Sequence, residues 1–304
     1  MKVLSDRHCS PSPHKGHSQV VHLGKIAGDC LVFSDVHLMD PADQHTQNFI
    51  EALLLYGKQV HHVFLLGDIF EFIDASRSYF RELWRPVFQA LEELKASGVA
   101  VYFSEGNHDF GFELSYRRER KWQNSWLVQW ASYAGDSAFE FEHDAFGKVH
   151  LRHGDDVVTS QSYLRFRAVV KSFVAQFLLG LLPPAPMHVF FLWLARQSRK
   201  RGENYCLTKQ KLLADVTRFI ENGHFEKPDV LILGHIHVYA DGPIHGVQTL
   251  SGPDWHTAAS VLLLKAQTVG GDSVQSVIER QALGSALPAN ILEPIREPIK
   301  SGRP

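Results

Sequence analysis

The sequence predicts an α/β protein built on a parallel β-sheet, and three observations support this prediction. Short apolar runs, rich in branched and aromatic residues, alternate with longer segments whose apolar residues recur at helical spacing. The resulting order β-α-β-α-β is typical of a parallel sheet joined by right-handed crossovers. The 304 residues, 44% of them hydrophobic, are enough for one large domain with an insertion or for two small domains.

The predicted elements follow one another in a regular order. The first apolar run, 31–38, reads L-V-F-S-D-V-H-L and is expected to be a buried strand. Further strands are expected at 61–66, 99–103, 139–142, 147–151, 229–233, 246–250, 258–265 and 273–279. Helices are expected at 42–56, 76–97, 114–133 and 206–221, with Pro86 as a candidate kink in the second.

The two ends of the chain are predicted to be extensions of a central domain at 29–281. Residues 1–28 are largely polar and lack the apolar core of a signal peptide, so we expect a flexible leader. Residues 282–304 contain four prolines, and we expect an extended tail there.

Charge and cysteine usage narrow the functional classes. The formal net charge is −2, which provides no overall electrostatic attraction to nucleic acid. Cys9, Cys30 and Cys206 are scattered and lack C-x-x-C spacing, as expected for reduced thiols in a cytosol rather than for a disulfide framework. We therefore expect a cytoplasmic protein with no nucleic-acid partner.

Five predicted strands end in residue types that bind metals. The clusters read D-x-H, G-D, G-N-H-D, H-G-D and G-H-x-H. Ligands of open α/β sheets bind at the carboxyl ends of the strands, so these side chains are expected to converge at one sheet edge. These clusters supply seven candidate metal ligands, which are carboxylate and amide oxygens and imidazole nitrogens.

This donor set predicts more than one metal ion. Mixed oxygen and imidazole donors suit Mn²⁺, Fe²⁺ or Zn²⁺. Seven ligands exceed the needs of one ion, whereas two-metal sites share a bridging carboxylate and hold their ions roughly 3.5–4 Å apart. We expect two divalent metal ions, with Mn²⁺ preferred and Fe²⁺ or Zn²⁺ as alternatives.

The clusters together resemble the signature of the calcineurin-like metallophosphoesterase family, D-x-H…G-D…G-N-H-[DE]…H…G-H-x-H, over about residues 30–240. The resemblance implies an α/β (α+β) fold, with a two-sheet β-sandwich flanked by helices. It also implies that Asp68 bridges the two metals. The other ligands would be Asp35, His37 and His237 at the first metal, and Asn107, His153 and His235 at the second.

The same resemblance implies phosphoester hydrolysis without a covalent enzyme intermediate. The metals would lower the pKa of a water and neutralise charge on the phosphate. His108, next to Asn107, would face the leaving oxygen and stabilise the transition state or act as general acid. Asp109 would orient His108.

A long insertion, at about 157–205, interrupts the α/β pattern. Between 172 and 195 it contains no Asp, Glu, Lys or Arg. About 20 apolar residues can cross a bilayer, but the prolines at 183, 184 and 186 divide this segment into arms that are too short. Basic residues flank the segment at Arg165, Arg167, Lys171, Arg196, Arg199, Lys200 and Arg201.

These features predict a helical hairpin with an apolar tip and a basic base. Such a hairpin can lie in a membrane interface or cover an apolar ligand, while its cations meet anionic head groups. The alternative is a cap that packs on its own domain.

The insertion further resembles the lid of the UDP-2,3-diacylglucosamine hydrolases of lipid A synthesis. H-G-D-D-V…Y-L-R-F-R-A-V-V and A-R-Q-S-R-K are similar to the two ends of that lid, and G-P-D-W-H-T at 252–257 is similar to a G-x-W-H-T block. The resemblance implies cleavage of a UDP-linked, diacylated glucosamine into UMP and a lipid sugar phosphate. The residues near its phosphates and sugar would be Arg196, Ser198, Arg199 and Lys200.

One residue departs from that pattern, because those hydrolases usually have G-N-R-D where this chain has His108 in G-N-H-D. The substrate is therefore either that lipidic nucleotide sugar or another lipid- or nucleotide-linked phosphoester. A binding module with the same fold and no catalysis is a third interpretation, against which the complete ligand set speaks. We expect an enzyme peripheral to the inner membrane, docked through the apolar hairpin, with no obligate protein partner.

Overall fold

Two β-sheets face each other in the computed structural model of the chain, and helices cover their outer faces. The structure describes residues 9–10, 18–119, 126–157, 161–202, 209–222, 226–236, 241–252, 255, 260–269 and 273–282. The expected α/β sandwich with flanking helices is confirmed.

Fifteen strands and nine helices are defined within the described ranges. The strands are β1 (Cys9–Ser10), β2 (Gln19–Ile26), β3 (Cys30–Phe33), β4 (His62–Leu66), β5 (Ile73–Asp74), β6 (Ala100–Ser104), β7 (Asp109–Phe110), β8 (Tyr133–Gly135), β9 (Ser137–His143), β10 (Gly147–Arg152), β11 (Val230–Leu233), β12 (Gly242–Ile244), β13 (Val247–Ser251), β14 (Ser260–Val269) and β15 (Ser273–Ala282). The helices are α1 (Gln44–Gly57), α2 (Ser78–Leu83), α3 (Arg85–Ala96), α4 (Phe112–Glu119), α5 (Trp126–Trp130), α6 (Gln161–Val170), α7 (Phe173–Gly180), α8 (Pro184–Gly202) and α9 (Lys209–Glu221).

The strand order places the predicted strand-end clusters on both sheets. One sheet has the order β1-β2-β9-β10-β11-β13-β12 and the other β15-β14-β3-β4-β6-β8, while β5 pairs with β7. Strands β3, β4, β6 and β8 are parallel, and so are β10, β11 and β13. The prediction that all five clusters lie at one edge of one sheet is therefore wrong. The clusters follow β3, β4 and β6 in one sheet and β10 and β11 in the other.

The core forms because alternate residues of each strand face opposite sides of the sheet. In β4, Phe64 and Leu66 face the other sheet, whereas Val63 and Leu65 face the helices. Phe64 stacks on Tyr102 with ring centroids 4.8 Å apart, in the layer between the two sheets. This layer holds the two sheets together beside the strand ends that carry the polar clusters.

Strand β2 corrects the expectation of a flexible leader at 1–28. Gln19–Ile26 pairs in parallel with β9, and Val21, Leu23 and Ile26 are buried in the core between the sheets. Three apolar residues on one face were enough to form a strand once β9 offered an edge. Residues 1–8 and 11–17 of the expected leader, and 283–304 of the expected tail, lie outside the described residues.

Two expected helices are divided in the structure. The segment at 76–97 forms α2 and α3 with a break at Trp84, so Pro86 lies in the first turn of α3, where a missing N–H costs little. The segment at 114–133 forms α4 and α5 on either side of residues outside the description, and Tyr133 begins β8.

The insertion forms the expected helical hairpin. Ser172 caps α7 by accepting the backbone N–H of Ala175, and α8 begins at Pro184 after a short turn. The prolines therefore start the second arm instead of interrupting a long helix. None of the described helices combines the length and apolarity that crossing a bilayer requires.

Candidate metal centre

The backbone at the strand ends adopts a conformation that is rare for residues with a side chain. Asp35, His37, Asp68 and His235 all have positive φ, between 51° and 65°. Such values cost energy and cluster at functional sites, where the surrounding structure holds them. Here the hydrogen bonds from Asp35 N to Gly67 O (3.1 Å) and from His37 N to Asp68 O (2.9 Å) hold the first two turns together.

Glycines allow the loops to approach one another closely. A Cβ on Gly67 would lie 2.6 Å from His153 Nδ1, and Gly67 itself has φ of 77°. A Cβ on Gly106 would collide with the carboxylate of Asp68. The glycines of the G-D and G-N-H-D clusters are therefore required by space as well as by backbone conformation.

Backbone amides orient the two carboxylates that the sequence singled out. Asp35 accepts the N–H of His235 at 2.9 Å and also contacts the hydroxyl of Ser34. Asp68 Oδ1 accepts the N–H of His108 at 2.9 Å. Each carboxylate is thus fixed by the loop that carries another predicted site residue.

Aspartate and histidine side chains at the described strand ends form two groups that share Asp68. One group brings together Asp35, Asp68, His153 and His235, and the other brings together His37, Asp68 and His108. Asn107 Oδ1 lies 3.4 Å from His153 Nε2 and so belongs beside the first group. His237 lies outside the described residues. The position of Asp68 in both groups is what a bridging carboxylate requires.

The histidines are oriented with one nitrogen held and the other directed into the site. His153 Nδ1 bonds Leu66 O at 2.8 Å, and His108 Nδ1 bonds Glu71 O at 2.8 Å. His37 Nδ1 lies 3.2 Å from Glu71 Oε2. Fixing Nδ1 in this way leaves Nε2 for a metal, so the donor set fits divalent ions with mixed oxygen and nitrogen ligands.

Opposite charges face one another in this cluster. Burial alone would lower the pKa of His37, but contact with Glu71 and the charge of Asp68 raise it to about 9. Burial opposes the charge of His153 as well, yet Asp68 raises its pKa to about 10. Burial would raise the pKa of Asp68, but His153 and His108 hold it well below its usual range. The charges of His37 and His153 and that of Asp68 thus stabilise one another.

Glu71 is a site residue that the sequence did not single out. Its side chain is 2% exposed, and it contacts His37 through its carboxylate and His108 through its carbonyl. It lies three residues after Asp68 in G-D-I-F-E, so an acidic residue following the G-D cluster was the available signal.

Asp109 has a different role from the one expected. Its carboxylate accepts the backbone N–H groups of Ile69, Phe70 and Gly106 at 3.2–3.3 Å, while the ring of His108 is held by Glu71. Burial and the charge of Asp68 raise the pKa of Asp109 to about 7. Asp109 thus joins the two loops, and its predicted contact with the His108 ring is replaced by Glu71.

The hairpin has one face on the domain and one face in solvent. On the packed face, Phe191 stacks on Phe72 at 4.2 Å, and Arg77 donates to Leu182 O at 2.6 Å. Among the described residues, eleven large apolar side chains are exposed, and nine of them lie on the hairpin. These nine are Val174, Phe177, Leu178, Leu181, Leu182, Val189, Phe190, Trp193 and Leu194.

Two basic residues at the hairpin base are not free to meet head groups, which corrects the sequence expectation. Arg167 donates to Asp155 and Asp136 at 2.6 Å each. Lys171 donates to Glu105 at 2.8 Å. The sequence shows these cations beside an apolar segment, but it does not show the buried carboxylates that the fold places against them.

The expected substrate contacts are described only in part. Arg196, Ser198, Arg199 and Lys200 lie on α8, and their side chains are outside the described part of the chain. In the segment 252–257, Gly252 and Trp255 are described, and Trp255 is buried against Phe33 and Phe49.

The chain matches a family model and is similar to several known proteins. The sequence model of the calcineurin-like phosphoesterase family matches residues 29–239. The chain is similar to UDP-2,3-diacylglucosamine hydrolase of Vibrio cholerae serotype O1, with 29% identity over 78% of this chain and 95% of the relative. It is similar to the Proteus mirabilis enzyme of the same name, with 26% identity over 79% and 97%. A solved dimetal phosphatase from Danio rerio aligns with 15% identity and a TM-score of 0.39, covering 84% of this chain and 96% of that one.

Proposed function

The chain belongs to the calcineurin-like phosphoesterase family, and on that premise we propose that it is a two-metal hydrolase that cleaves the pyrophosphate of UDP-2,3-diacylglucosamine. The products would be UMP and 2,3-diacylglucosamine 1-phosphate. The relatives that carry this enzyme name support the substrate, and the paired ligand groups around Asp68 support the two metals. Mn²⁺ is the proposed ion, with Fe²⁺ or Zn²⁺ as alternatives.

The protein's own residues would bind and orient the metals and the substrate. The proposed ligands are Asp35, His37, Asp68, Asn107, His153, His235 and His237. When bound, the metals would lower the pKa of a water and neutralise phosphate charge. His108, with Nδ1 held by Glu71 O, would direct Nε2 toward the leaving oxygen and stabilise charge or donate a proton there.

The proposed substrate is supported above all by the apolar hairpin, which lies beside the metal-site loops. Phe72 directly follows Glu71, and Phe110 directly follows Asp109. These two rings line a small, mainly apolar cleft together with Asp74 and with Leu179 and Met187 of the hairpin. A substrate with a charged pyrophosphate and acyl chains needs such an apolar surface within reach of the metals. Arg196, Ser198, Arg199 and Lys200 on α8 are proposed to contact its phosphates and sugar.

We further propose that the exposed face of the hairpin places the enzyme on the cytoplasmic side of the inner membrane. Trp193 and Phe190 are each 53% exposed, and an aromatic and aliphatic face of this kind is suited to the membrane interface. Peripheral docking would bring the active site to the lipid substrate.

His108 favours a second candidate substrate class. A histidine can donate a proton to a leaving alkoxide, which a permanently charged arginine does not do. The alternative is therefore another lipid- or nucleotide-linked phosphoester with a more basic leaving group.

An assay of the Mn²⁺-loaded protein on UDP-2,3-diacylglucosamine, beside a soluble bis-aryl phosphodiester, tests the substrate. UMP release detected by chromatography supports the proposal, and an Asn107→Ala variant should abolish it. Turnover of the diester without UMP release would reject the nucleotide sugar and leave the second class.

Sedimentation with liposomes tests the docking surface. The double variant Phe190→Ser/Trp193→Ser should remain in the supernatant, whereas Leu55→Ser should sediment like the wild type. Leu55 is the matched control because it is 48% exposed on α1, away from the hairpin. Sedimentation of the double variant at the wild-type level would contradict this part of the proposal.

A further inference from the structure

The loop 105–109, which contains Asn107 and His108, is held at both ends by one side chain from the hairpin stem. Lys171 Nζ donates to Glu105 Oε2 at 2.8 Å and to the backbone carbonyl of Asp109 at 2.9 Å. The same ammonium lies 5.0 Å from the centre of the Phe110 ring. Lys171 therefore links the first and the last residue of the loop.

On the hairpin side, Lys171 lies at the junction between α6 and α7, where hydrogen bonds hold the backbone. Its backbone N–H bonds Arg167 O at 2.8 Å at the end of α6, and the next residue, Ser172, caps α7. Arg167 is itself fixed by the buried carboxylate of Asp155 and the partly buried carboxylate of Asp136. The ammonium thus has little freedom to move independently of the domain.

On the loop side, both partners are fixed as well. Glu105 is 1% exposed, and its second oxygen accepts the N–H of Glu113 at 2.9 Å, at the start of α4. Asp109 pairs with Ile73 between the short strands β5 and β7. Between these anchors, Gly106 bonds Asp109 and His108 bonds Asp68 and Glu71. Two of the three residues between the anchors are proposed to touch the metals or the substrate, so the anchors add to the contacts that position them.

We propose that Lys171 is a positioning residue for the hydrolysis: by tying Glu105 to Asp109 it keeps Asn107 and His108 in place and links the hairpin stem to the metal centre. This inference rests on the proposed roles of Asn107 and His108, but it does not depend on the lipid substrate. It assigns a role in the chemical step to a residue at the base of the hairpin, where the sequence suggested contact with lipid head groups.

Turnover of a soluble bis-aryl phosphodiester by Lys171→Met separates this role from lipid binding, because that substrate has no acyl chain for the hairpin to hold. We expect kcat to fall about 10–100-fold, since small misplacements of reacting groups have effects of that order. KM for the diester should stay near the wild-type value. Lys265→Met, which removes the lysine of another cross-strand Lys–Glu pair, should match the wild type.

A second variant and a second measurement guard against a loss of folding. Lys171→Met leaves a buried carboxylate without a cation, so the double variant Lys171→Met/Glu105→Gln removes both charges together. In both variants the backbone amides of 106–110 should exchange with deuterium faster than in the wild type. Unchanged kcat and unchanged exchange in the folded double variant would overturn the inference.

The failure of this inference and the failure of the proposed function give different results. If the wild type hydrolyses the diester but releases no UMP from UDP-2,3-diacylglucosamine, the proposed substrate is wrong and Lys171 is still judged by the diester. If the wild type hydrolyses neither compound, hydrogen exchange of 106–110 alone decides whether Lys171 holds the loop.

Discussion

Replacing Glu71 by Gln should weaken metal binding while the fold stays intact. Glu71 Oε2 lies 3.2 Å from His37 Nδ1 in a site where the Glu71 side chain is 2% exposed. The carboxylate holds the His37 ring and makes its Nε2 more basic, as carboxylate partners of metal-binding histidines do. Glutamine keeps the shape and can accept the same hydrogen bond, but it lacks the charge. The Glu71 carbonyl still accepts from His108, so His108 should remain in place.

The expected loss of metal affinity follows from the usual effect of removing a carboxylate that holds a metal-binding histidine. Removing one lowers metal affinity about 10–100-fold, which corresponds to roughly 1.4–2.7 kcal/mol. Because the change acts on binding, turnover at saturating Mn²⁺ should stay close to the wild-type rate.

Calorimetric titration of the metal-free protein with Mn²⁺ measures this affinity directly. Glu93→Gln is the matched control, since Glu93 is 51% exposed and pairs with Lys58 on the surface. Equal Mn²⁺ affinities for Glu71→Gln and Glu93→Gln would refute the role assigned to Glu71.

Three further predictions concern the same site and its support. Mn²⁺ binding should release protons, because pKa values of about 9 for His37 and about 10 for His153 keep both rings protonated at neutral pH and unable to ligate. Affinity should therefore rise with pH, and calorimetry in two buffers of different ionisation enthalpy measures the release. Asp68→Ala should lose the metals of both groups, which elemental analysis of the purified variant would detect. Arg167→Met should lower stability by roughly 3–5 kcal/mol, because the buried carboxylate of Asp155 and the partly buried one of Asp136 lose their cation. Chemical denaturation measures that loss, and Arg218→Met, at an exposed position on α9, should show little change.

The strands and their terminal clusters were predictable because their signals are local. A short apolar run such as 62–66, bounded by turn residues and rich in branched and aromatic side chains, favours a buried strand. The G-D, D-x-H and G-N-H-D clusters mark those turns, and Asp35, Asp68 and His153 do converge in the fold. The roles of these residues as metal ligands stay predictions until a metal is measured.

Two of the corrections involve partners that are distant in the sequence. Strand β2 exists because β9 offers it an edge more than a hundred residues later. Lys171 is buried because Glu105 reaches it from another loop. The local sequence predicted a polar leader in the first case and a basic residue beside the apolar segment in the second. In neither case does the local sequence contain the residue with which the segment pairs.

Most element types, the candidate donor residues and the apolar hairpin can be predicted from the sequence, since each depends on short-range spacing and side-chain chemistry. The fold was needed to show that the candidate donors come from two sheets, that Glu71 contacts His37, and that Lys171 bonds Glu105 and the Asp109 carbonyl. The reason is physical: a buried charge needs a partner within a few ångströms, and the folding of distant segments chooses that partner.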